Sequence, residues 1–344
     1  MKSSRFDYNS ILMGTAKLGG KNGNRLKEAT GMAAEQNYPA ILFDGKPKVG
    51  IGVYDGLSAL LAAKENFDFL WVSSFSCSAA AGVPDVGIIG ADEILATVRT
   101  VRRLTALPIL VDLDAGYGDT LKVHSVVEAM ARAGASAVCI EDNPMSKRCS
   151  LYDDCDRSLA TVEEHSERVR AAREAVRLAG SDCRVIARTE ALVAGMGVDE
   201  AIKRASAYKE AGAHGVFVQS LDATGENVLE FARRWNRRTP VFIAPTRFPH
   251  VTRKQFISAG ITHRIFANQA MRAAHSAIEK TFRALADAES AMIVEKEISP
   301  VASVAASVGA SRIAELEALF GGNGHKSVGG KKSSTNGKAL KSKK

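Results

Sequence analysis

Long apolar runs are missing from this chain of 344 residues. No apolar segment approaches the roughly 20 residues that a membrane-spanning helix needs. The first residues, Met1 to Asp7, also lack the apolar core of a secretory signal. These absences argue against an integral membrane protein and against a secreted one, so we expect a cytoplasmic protein.

Cysteine is scarce, and its positions follow no known pattern. Neither a disulfide framework nor a thiolate zinc site is expected, because the number of cysteines is odd and no Cys-x-x-Cys pair occurs. The seven histidines are also far apart and show no ligand spacing, which makes zinc an unsuitable metal. We expect reduced thiols at Cys77, Cys139, Cys149, Cys155 and Cys183.

Acidic residues are absent after Glu317, and this absence explains the formal net charge of +8. Without the seven lysines that follow Gly321, the remaining 39 basic residues nearly match the 38 acidic ones. Nucleic-acid binding is therefore not expected of the body of the protein. The Gly/Ser/Lys-rich end of the chain is predicted to be disordered, and it either solubilises the protein or attracts polyanions weakly.

Short β-rich runs alternate with longer segments of helical spacing. Eight such alternations favour a closed (β/α)8 barrel, also called a TIM barrel, over an open doubly wound sheet. A dinucleotide-binding domain is not expected, because no Gly-x-Gly-x-x-Gly follows the first strand. The predicted strands are 49–53, 69–73, 109–113, 137–140, 184–187, 215–218, 241–244 and 264–267, and the predicted helices include 92–104, 121–133, 162–178, 198–211, 228–235 and 270–287.

Four regions follow from this pattern. Residues 1–44 form an N-terminal extension with a predicted helix over 25–36, and residues 45–295 form the catalytic barrel. A C-terminal helical segment (296–322) and the disordered basic tail (323–344) complete the chain. The polar stretch 143–159 is too long for an ordinary connection between a strand and a helix, so we predict that it is a lid.

Carboxylates directly follow two neighbouring predicted strands. Asp112 and Asp114 come after the third strand, and Glu141 comes after the fourth. Residues at the carboxyl ends of barrel strands converge on one rim, where α/β barrels form their active sites. Three carboxylates of this kind suit Mg²⁺, so the three are the predicted metal ligands. The alternative is that they cap helices or face solvent.

The remaining strands also end in polar residues. Arg188 can bind a carboxylate or phosphonate through its forked guanidinium, or it can form a structural salt bridge with Glu190 or Glu141. Ser73 and Ser74 follow the second strand, Gln219 and Ser220 the sixth, Thr246 and Arg247 the seventh, and Asn268 the eighth.

Two loops carry further candidates. Lys147 in the lid would neutralise an anionic substrate. Cys149, two residues later, is either an acid or base or an inert loop cysteine. Asp85 lies in a second loop, Gly82-Val83-Pro84-Asp85, and is a nucleophile, a base or a turn residue.

These residues belong to a series of motifs that resembles the phosphoenolpyruvate mutase and isocitrate lyase superfamily. The series covers residues 45 to 295 in order. Its motifs are Trp71-Val72-Ser73-Ser74, Gly82-Val83-Pro84-Asp85, Asp112-Leu113-Asp114-Ala115-Gly116-Tyr117-Gly118, Glu141-Asp142 with Lys147, Ala187-Arg188-Thr189-Glu190-Ala191, Gly195-Met196-Gly197-Val198-Asp199-Glu200-Ala201, Ala244-Pro245-Thr246 and Phe266-Ala267-Asn268.

The resemblance implies a (β/α)8 barrel that binds Mg²⁺ through residues like Asp112, Asp114 and Glu141, partly through water. Members of the superfamily act on 2-oxo or 2-hydroxy acids and make or break a P–C or C–C bond next to an enolate. An arginine like Arg188 helps to stabilise that enolate. The resemblance also implies a homo-oligomer, a tetramer or dimer, whose subunits exchange a C-terminal helix, and the segment after Pro300 would be that helix.

The motifs divide between branches of the superfamily. Residues 191–197 and 244–248, with Trp71, are similar to the phosphoenolpyruvate mutase and phosphonopyruvate hydrolase branch. We therefore expect a Mg²⁺-dependent isomerase that interconverts phosphoenolpyruvate and 3-phosphonopyruvate, the P–C bond-forming step of phosphonate biosynthesis. Lys147-Arg148-Cys149 instead resembles the lyase branch. The alternatives are a C–C lyase of the 2-methylisocitrate lyase type, with Cys149 as acid or base, or a phosphonopyruvate hydrolase.

The mutase-like interpretation assigns each candidate a function. Asp85 would carry or position the phosphoryl group, and Lys147 would close over it. Mutases typically have Asn at the position of Cys149 and His at the position of Gln219, and lyases usually have Glu at the latter. The substrate-binding set comprises Ser73, Ser74 and Phe75 as an anion-binding loop, together with Ser150, Arg188 and Gln219.

Overall fold

The computed structural model of the protein describes residues 38–145, 147–152, 157–313 and 317. The predicted helix over 25–36, most of the N-terminal extension, the end of the C-terminal helical segment and the predicted tail 323–344 lie outside the described residues. No helix within the described residues has the length and apolar character needed to cross a membrane.

Eight parallel strands form a closed barrel, in which each strand pairs with the next along the chain and the last pairs with the first. The closing register joins Lys48 to His263 and Ile51 to Phe266. The predicted (β/α)8 barrel is thereby confirmed. The strands are β1 Lys48–Val53, β2 Phe69–Val72, β3 Ile109–Asp112, β4 Ala137–Glu141, β5 Arg184–Thr189, β6 Gly215–Val218, β7 Val241–Ile243 and β8 His263–Phe266.

The helices lie outside the barrel, with short ones at its rims. Many begin at a side-chain cap, which satisfies backbone N–H groups that have no partner within the helix. Asp55, Ser73 and Thr252 cap three helices of seven residues. The helices are α1 Tyr38–Leu42, α2 Gly56–Ala62, α3 Ser74–Ala80, α4 Ala91–Leu104, α5 Thr120–Arg132, α6 Val162–Leu178, α7 Gly197–Glu210, α8 Glu226–Trp235, α9 Arg253–Ala259, α10 Gln269–Leu285, α11 Met292–Glu295 and α12 Val301–Ser307, followed by a 3-10 turn at Ala310–Arg312.

The strands are apolar on both faces because each separates two cores. Along β2, Phe69 and Trp71 pack inside the barrel with Phe217 and other interior residues. The alternate residues Leu70 and Val72 pack outward against the core beneath the helices. This double burial explains why the strands are nearly continuous hydrophobic runs.

Backbones approach closely where the barrel closes between β1 and β8. A Cβ atom at Gly52 would lie 1.9 Å from the carbonyl oxygen of Ala267, so a larger residue would push the two strands apart. Ala267 immediately precedes Asn268. The close approach therefore helps to fix where the eighth strand delivers Asn268.

The C-terminal helices leave apolar side chains uncovered. Helix α10 has no buried residue, and Ile278 and Phe282 on it are 52% and 68% exposed. Met292 and Val301, on the two following helices, are exposed as well. Exposed apolar surface of this extent is typical of a protein contact.

Candidate active site

A cavity opens at the carboxyl ends of the strands. It encloses about 490 Å³ of space between atoms, part of it open to solvent. All four residues that the sequence predicts to be catalytic line it, namely Asp85, Lys147, Cys149 and Arg188. The other lining residues are Trp71, Ser73, Ser74, Phe75, Asp112, Glu141, Ser150, Leu151, Phe217, Gln219, Ala244, Thr246, Ala267 and Asn268.

Ser73, Ser74 and Phe75 differ from the predicted anion-binding loop, because helix α3 begins at Ser74. Ser73 is the N-cap, and its hydroxyl accepts a hydrogen bond from the backbone N–H of Ser76 at 3.2 Å. The Ser74 hydroxyl donates to Oδ2 of Asp112 at 2.9 Å. A helix start thus replaces the loop, and it brings the second and third strand exits together.

Asp112 and Asp114 lie on either side of the turn that ends β3. Both side chains are buried, and Asp114 has a φ of 50°, in the left-handed region that Asp tolerates better than most residues. Burial raises the pKa of Asp114, as do the charges of Asp112 and Asp85, while the neighbouring Lys147 ammonium opposes the rise. The site therefore concentrates negative charge that water does not screen.

Lys147 connects this turn to two other loops. Its ammonium lies 2.5 Å from Oδ1 of Asp85 and 3.0 Å from the Ser74 hydroxyl, and it also contacts Asp114. Burial works to lower the pKa of Lys147, but the surrounding carboxylates outweigh it and hold the pKa well above its usual value. Lys147 is therefore a fixed positive charge, although its side chain is only 6% exposed.

A second cluster of charge lies at the ends of β4 and β5. The Arg188 Nε atom is 2.6 Å from Oε1 of Glu190 and 3.4 Å from Oε2 of Glu141, so the structural salt bridges considered from the sequence are both formed. Burial raises the pKa of Glu141 to about 8, despite the opposing charge of Arg188. The guanidinium also lies over the Phe217 ring, 5.0 Å from its centre. Arg188 therefore lines the cavity while Glu190 and Glu141 hold its guanidinium in place.

The lid approaches the cavity through Cys149, Ser150 and Tyr152. The Ser150 hydroxyl accepts a hydrogen bond from Arg188 at 2.6 Å, and the Tyr152 hydroxyl accepts one from the backbone N–H of Asp85 at 3.1 Å. Burial and the Asp85 charge raise the pKa of the Cys149 thiol to about 12. The thiol is therefore protonated at neutral pH, and the described part of the lid is tied down on two sides.

Neutral polar groups form the opposite wall. Gln219 and Asn268 are each 4% exposed, and no hydrogen-bond partner among the described residues is found for Oε1 of Gln219 or Oδ1 of Asn268. The Asn268 amide donates to the Thr246 hydroxyl at 3.3 Å. Asn268 and Thr246 were predicted only as strand-exit residues, and the structure places both beside the selected site residues. Trp71 and Phe217, which a strand pattern cannot distinguish from ordinary core, also line the cavity.

The donor chemistry of the site fits Mg²⁺. Five buried carboxylates lie at or beside the cavity, and two buried cations, Lys147 and Arg188, contact them; two of the five, the predicted metal ligand Asp114 and Glu190, do not line the cavity. Oε2 of Glu190 has no partner in the described part of the chain. No group of three or more Asp, Glu, His or Cys side chains in the described residues is arranged to hold a metal ion by itself. Mg²⁺ suits such a set because it retains waters and takes one or two carboxylates with substrate oxygens. The carboxylates are Asp85, Asp112, Asp114, Glu141 and Glu190.

Known proteins resemble this chain over most of its length. Phosphonopyruvate hydrolase of Variovorax sp. (strain Pal2) is 32% identical over 292 residues, which are 84% of this chain and 99% of that protein. Phosphoenolpyruvate phosphomutase of Streptomyces hygroscopicus is 36% identical over 255 residues, 74% of this chain and 80% of that protein. 2-Methylisocitrate lyase of Bacillus subtilis (strain 168) is 33% identical over 234 residues, 67% and 74% of the two chains.

Solved structures of related enzymes are similar to this chain as well. The crystal structure of phosphoenolpyruvate phosphomutase from Streptomyces platensis subsp. rosaceus superposes with a TM-score of 0.78 at 32% identity, covering 82% of this chain and 99% of that one. Phosphonopyruvate hydrolase in complex with oxalate and Mg²⁺ gives a TM-score of 0.76 at 30% identity, covering 83% and 98%. The family model described as phosphoenolpyruvate phosphomutase matches residues 41–286. The chain is therefore an enzyme of the phosphoenolpyruvate mutase and isocitrate lyase superfamily.

Proposed function

We propose that this enzyme interconverts phosphoenolpyruvate and 3-phosphonopyruvate in a Mg²⁺-dependent reaction. The observation that carries the proposal is the burial of three lid residues that line the cavity: Lys147, Cys149 and Ser150 are each 5% exposed or less, counted over the whole residue. A phosphoryl group released under such a lid meets the substrate enolate before it meets bulk water. Closure therefore favours return of the phosphoryl group to the same molecule.

The chemistry requires one bond to break and another to form. The P–C bond of phosphonopyruvate breaks, its electron pair becomes the enolate of pyruvate, and the phosphoryl group moves to the enolate oxygen. Asp85 is the residue to which we assign carrying or positioning that phosphoryl group. Lys147 reduces the repulsion between the Asp85 carboxylate and the anionic substrate, because its ammonium already lies 2.5 Å from Oδ1.

The remaining residues bind and orient the substrate. Arg188 would hold the carboxylate or phosphonate group, with Ser150 and Gln219 beside it and with Ser73, Ser74 and Phe75 lining the same cavity. Mg²⁺, when bound by Asp112 and by Asp114 and Glu141 partly through water, would supply positive charge to the developing enolate oxygen. The far wall of Gln219 and Asn268 presents amides to the reacting molecule without adding charge.

Two other activities have a specific observation in their favour. Hydrolysis of phosphonopyruvate is favoured by the relative of that name, 99% of whose length the chain aligns with. A C–C lyase is favoured by Cys149, whose protonated thiol lines the cavity and is suited to donating a proton to a carbanion. Both use the same enolate-stabilising site, and the substrate in each is a small 2-oxo or 2-hydroxy acid or a phosphonate.

The proposal is tested by ³¹P and ¹H NMR of the full chain with Mg²⁺ and phosphonopyruvate, phosphoenolpyruvate, or 2-methylisocitrate. A phosphoenolpyruvate signal that grows from phosphonopyruvate without inorganic phosphate is the expected result. Inorganic phosphate and pyruvate in equal amounts would identify a hydrolase instead. Pyruvate and succinate from 2-methylisocitrate, with phosphonopyruvate unchanged, would identify a lyase. Turnover of none of the three would overturn the proposal.

The assembly and location follow as parts of the same proposal. The uncovered apolar side chains of α10 fit a homo-oligomer, in which a second copy of the chain covers Ile278 and Phe282. A C-terminal helix exchanged between subunits would accomplish this. We propose a cytoplasmic enzyme without a nucleic-acid or membrane partner.

A further inference from the structure

Asp142 follows the proposed metal ligand Glu141, but it does not line the cavity. Its side chain is fully buried. It instead organises a set of hydrogen bonds between the barrel and helix α7. The carboxylate accepts from the backbone N–H of Glu190 at 2.8 Å, the Thr189 hydroxyl at 2.9 Å, the Tyr208 hydroxyl at 2.8 Å and Nη1 of Arg204 at 3.2 Å.

The same cluster holds both ends of the lid. At the outgoing end, the carbonyl oxygen of Asn143 accepts from Nη1 of Arg168 at 2.8 Å. At the returning end, the N–H of Ala160 donates to the carbonyl oxygen of Asp142 at 2.9 Å. The Ala160 carbonyl accepts from Nη1 of Arg204, also at 2.9 Å. The chain thus leaves the barrel and returns to it at Asp142.

The cluster also reaches the middle of the lid through Arg188. Asp142 fixes the backbone of Glu190, whose Oε1 accepts from Nε of Arg188 at 2.6 Å. Arg188 in turn donates to the Ser150 hydroxyl at 2.6 Å. A change at Asp142, which does not line the cavity, would therefore alter the position of Arg188, which does.

A buried ion pair is weak evidence for a contribution to stability, because desolvation of the two charges offsets much of their attraction. The geometry of the Asp142–Arg204 pair points elsewhere, since Nη1 of Arg204 bonds Asp142 and the lid-end carbonyl of Ala160 at once. The two hydrogens of this one nitrogen make both bonds, while Nε of the same rigid guanidinium is bonded to Glu200 on the same helix at 3.0 Å.

We propose that Asp142 and Arg204 are positioning residues that clamp both ends of the lid, so that its described residues Lys147 and Ser150 are held at the cavity. The proposal rests on the proposed function in one respect, that Lys147 acts on a substrate bound there. The clamp explains how a long polar segment places Lys147 beside Asp85.

The test is Arg204→Lys in the full chain, because one ammonium keeps the charge but cannot occupy the Nε and Nη1 positions at once, so it cannot bond Glu200 together with both Asp142 and Ala160. Arg132→Lys is the matched control, since Arg132 forms an exposed i,i+4 pair with Glu128 on α5. Hydrogen–deuterium exchange is followed in peptides covering residues 143–162, with α5 peptides as the internal reference. Steady-state kinetics with phosphonopyruvate and Mg²⁺ provide the second measurement.

We expect the lid peptides of Arg204→Lys to exchange about tenfold faster while the α5 peptides are unchanged, and kcat to fall about tenfold with KM changing less. Faster exchange in both the lid and the α5 peptides would show that the Asp142–Arg204 pair only stabilises the fold, and it would overturn the proposal. Unchanged exchange in the lid peptides would also overturn it. If Arg204→Lys does not fold, Tyr208→Phe removes one bond to Asp142 and is judged by the same outcomes. Failure of the wild type to turn over phosphonopyruvate would refute the proposed function, and the exchange result would still decide the clamp.

Discussion

Nζ of Lys147 lies 2.5 Å from Oδ1 of Asp85, although 62 positions separate the two residues in the chain. The contact joins the lid to the loop after α3, and it also brings the ammonium to Asp114 on the loop after β3. One side chain therefore connects three loops at the mouth of the cavity. Its loss should remove the contacts of the lid with Asp85 and Asp114, while the bond from Arg188 to Ser150 remains.

Replacement of Lys147 by Met should reduce kcat/KM by about 1,000-fold, because it removes a preorganised charge from a site poor in water. Arg148→Met is the matched control, since the neighbouring Arg148 is exposed and donates only to the Lys147 carbonyl among the contacts described. Initial rates with phosphonopyruvate check the prediction. Equal losses in both variants would contradict it.

Asp112→Asn should weaken Mg²⁺ binding by about a hundredfold or more, because a neutral amide replaces a charged oxygen ligand. Isothermal titration of Mg²⁺ without substrate measures the effect, and the exposed Asp92→Asn provides the control. Activity lost after treatment with a chelator should return when Mg²⁺ is added. Wild-type affinity in Asp112→Asn would remove Asp112 from the ligand set.

Cys149→Ser should change the rate of phosphonopyruvate turnover by less than about fivefold, because a mutase has no proton for the thiol to transfer. A lyase should lose about a hundredfold or more, the usual contribution of a general acid or base. The buried Cys183→Ser controls for the loss of a buried sulfur. A large loss in Cys149→Ser alone would count against the mutase.

Lowering the pH from 7 to 5 should destabilise the fold through His165. Burial lowers the pKa of His165 to about 3, so the unfolded chain binds the proton first and stability is lost as the pH falls below about 6.5. One such histidine should reduce the free energy of unfolding by about 2 kcal/mol at pH 5.

Urea unfolding at the two pH values measures this loss. His165→Phe should reduce the pH dependence, whereas the exposed His275→Gln should not. Part of the dependence should persist in His165→Phe, because burial also lowers the pKa of His263, to about 4. An unchanged pH dependence in His165→Phe would show that this imidazole does not control acid stability.

Phe282→Glu should dissociate the proposed oligomer. A charge at a side chain that is 68% exposed in one chain has little effect on that chain, but it is costly inside an apolar interface. Light scattering coupled to size-exclusion chromatography measures the mass, with Phe282→Leu as the apolar control. A wild-type protein that is already monomeric would refute the assembly.

The regular part of the fold could be predicted from local pattern. Helix α6 (Val162–Leu178) and strand β6 (Gly215–Val218) occur at their predicted bounds. Capping residues, glycines and the spacing of apolar residues mark the two ends of each element in the sequence. The site residues were found because strand ends converge wherever a barrel closes. Helices α2, α3 and α9 were not predicted, since seven residues give too few turns for a helical period to show.

Contacts between loops could not be predicted. The predicted loop at Ser73 is a capped helix, and the bond from Arg188 to Ser150 depends on how the lid returns to the barrel. Asp142 illustrates the same limit. It directly follows the predicted ligand Glu141, whereas its four partners come from the end of β5, from Glu190 just after that strand and from α7, and only the folded barrel brings them together.

The backbone bond between Ala160 and Asp142 has a consequence for how such enzymes diversify. Because the two ends of the intervening segment meet, its length is not constrained by the geometry of the barrel, and doubling the length of such a loop costs only about 0.6 kcal/mol. The segment can therefore be replaced by one of a different length or sequence. A replacement segment can bring different reactive groups to an unchanged enolate site, so that one scaffold supports several chemistries.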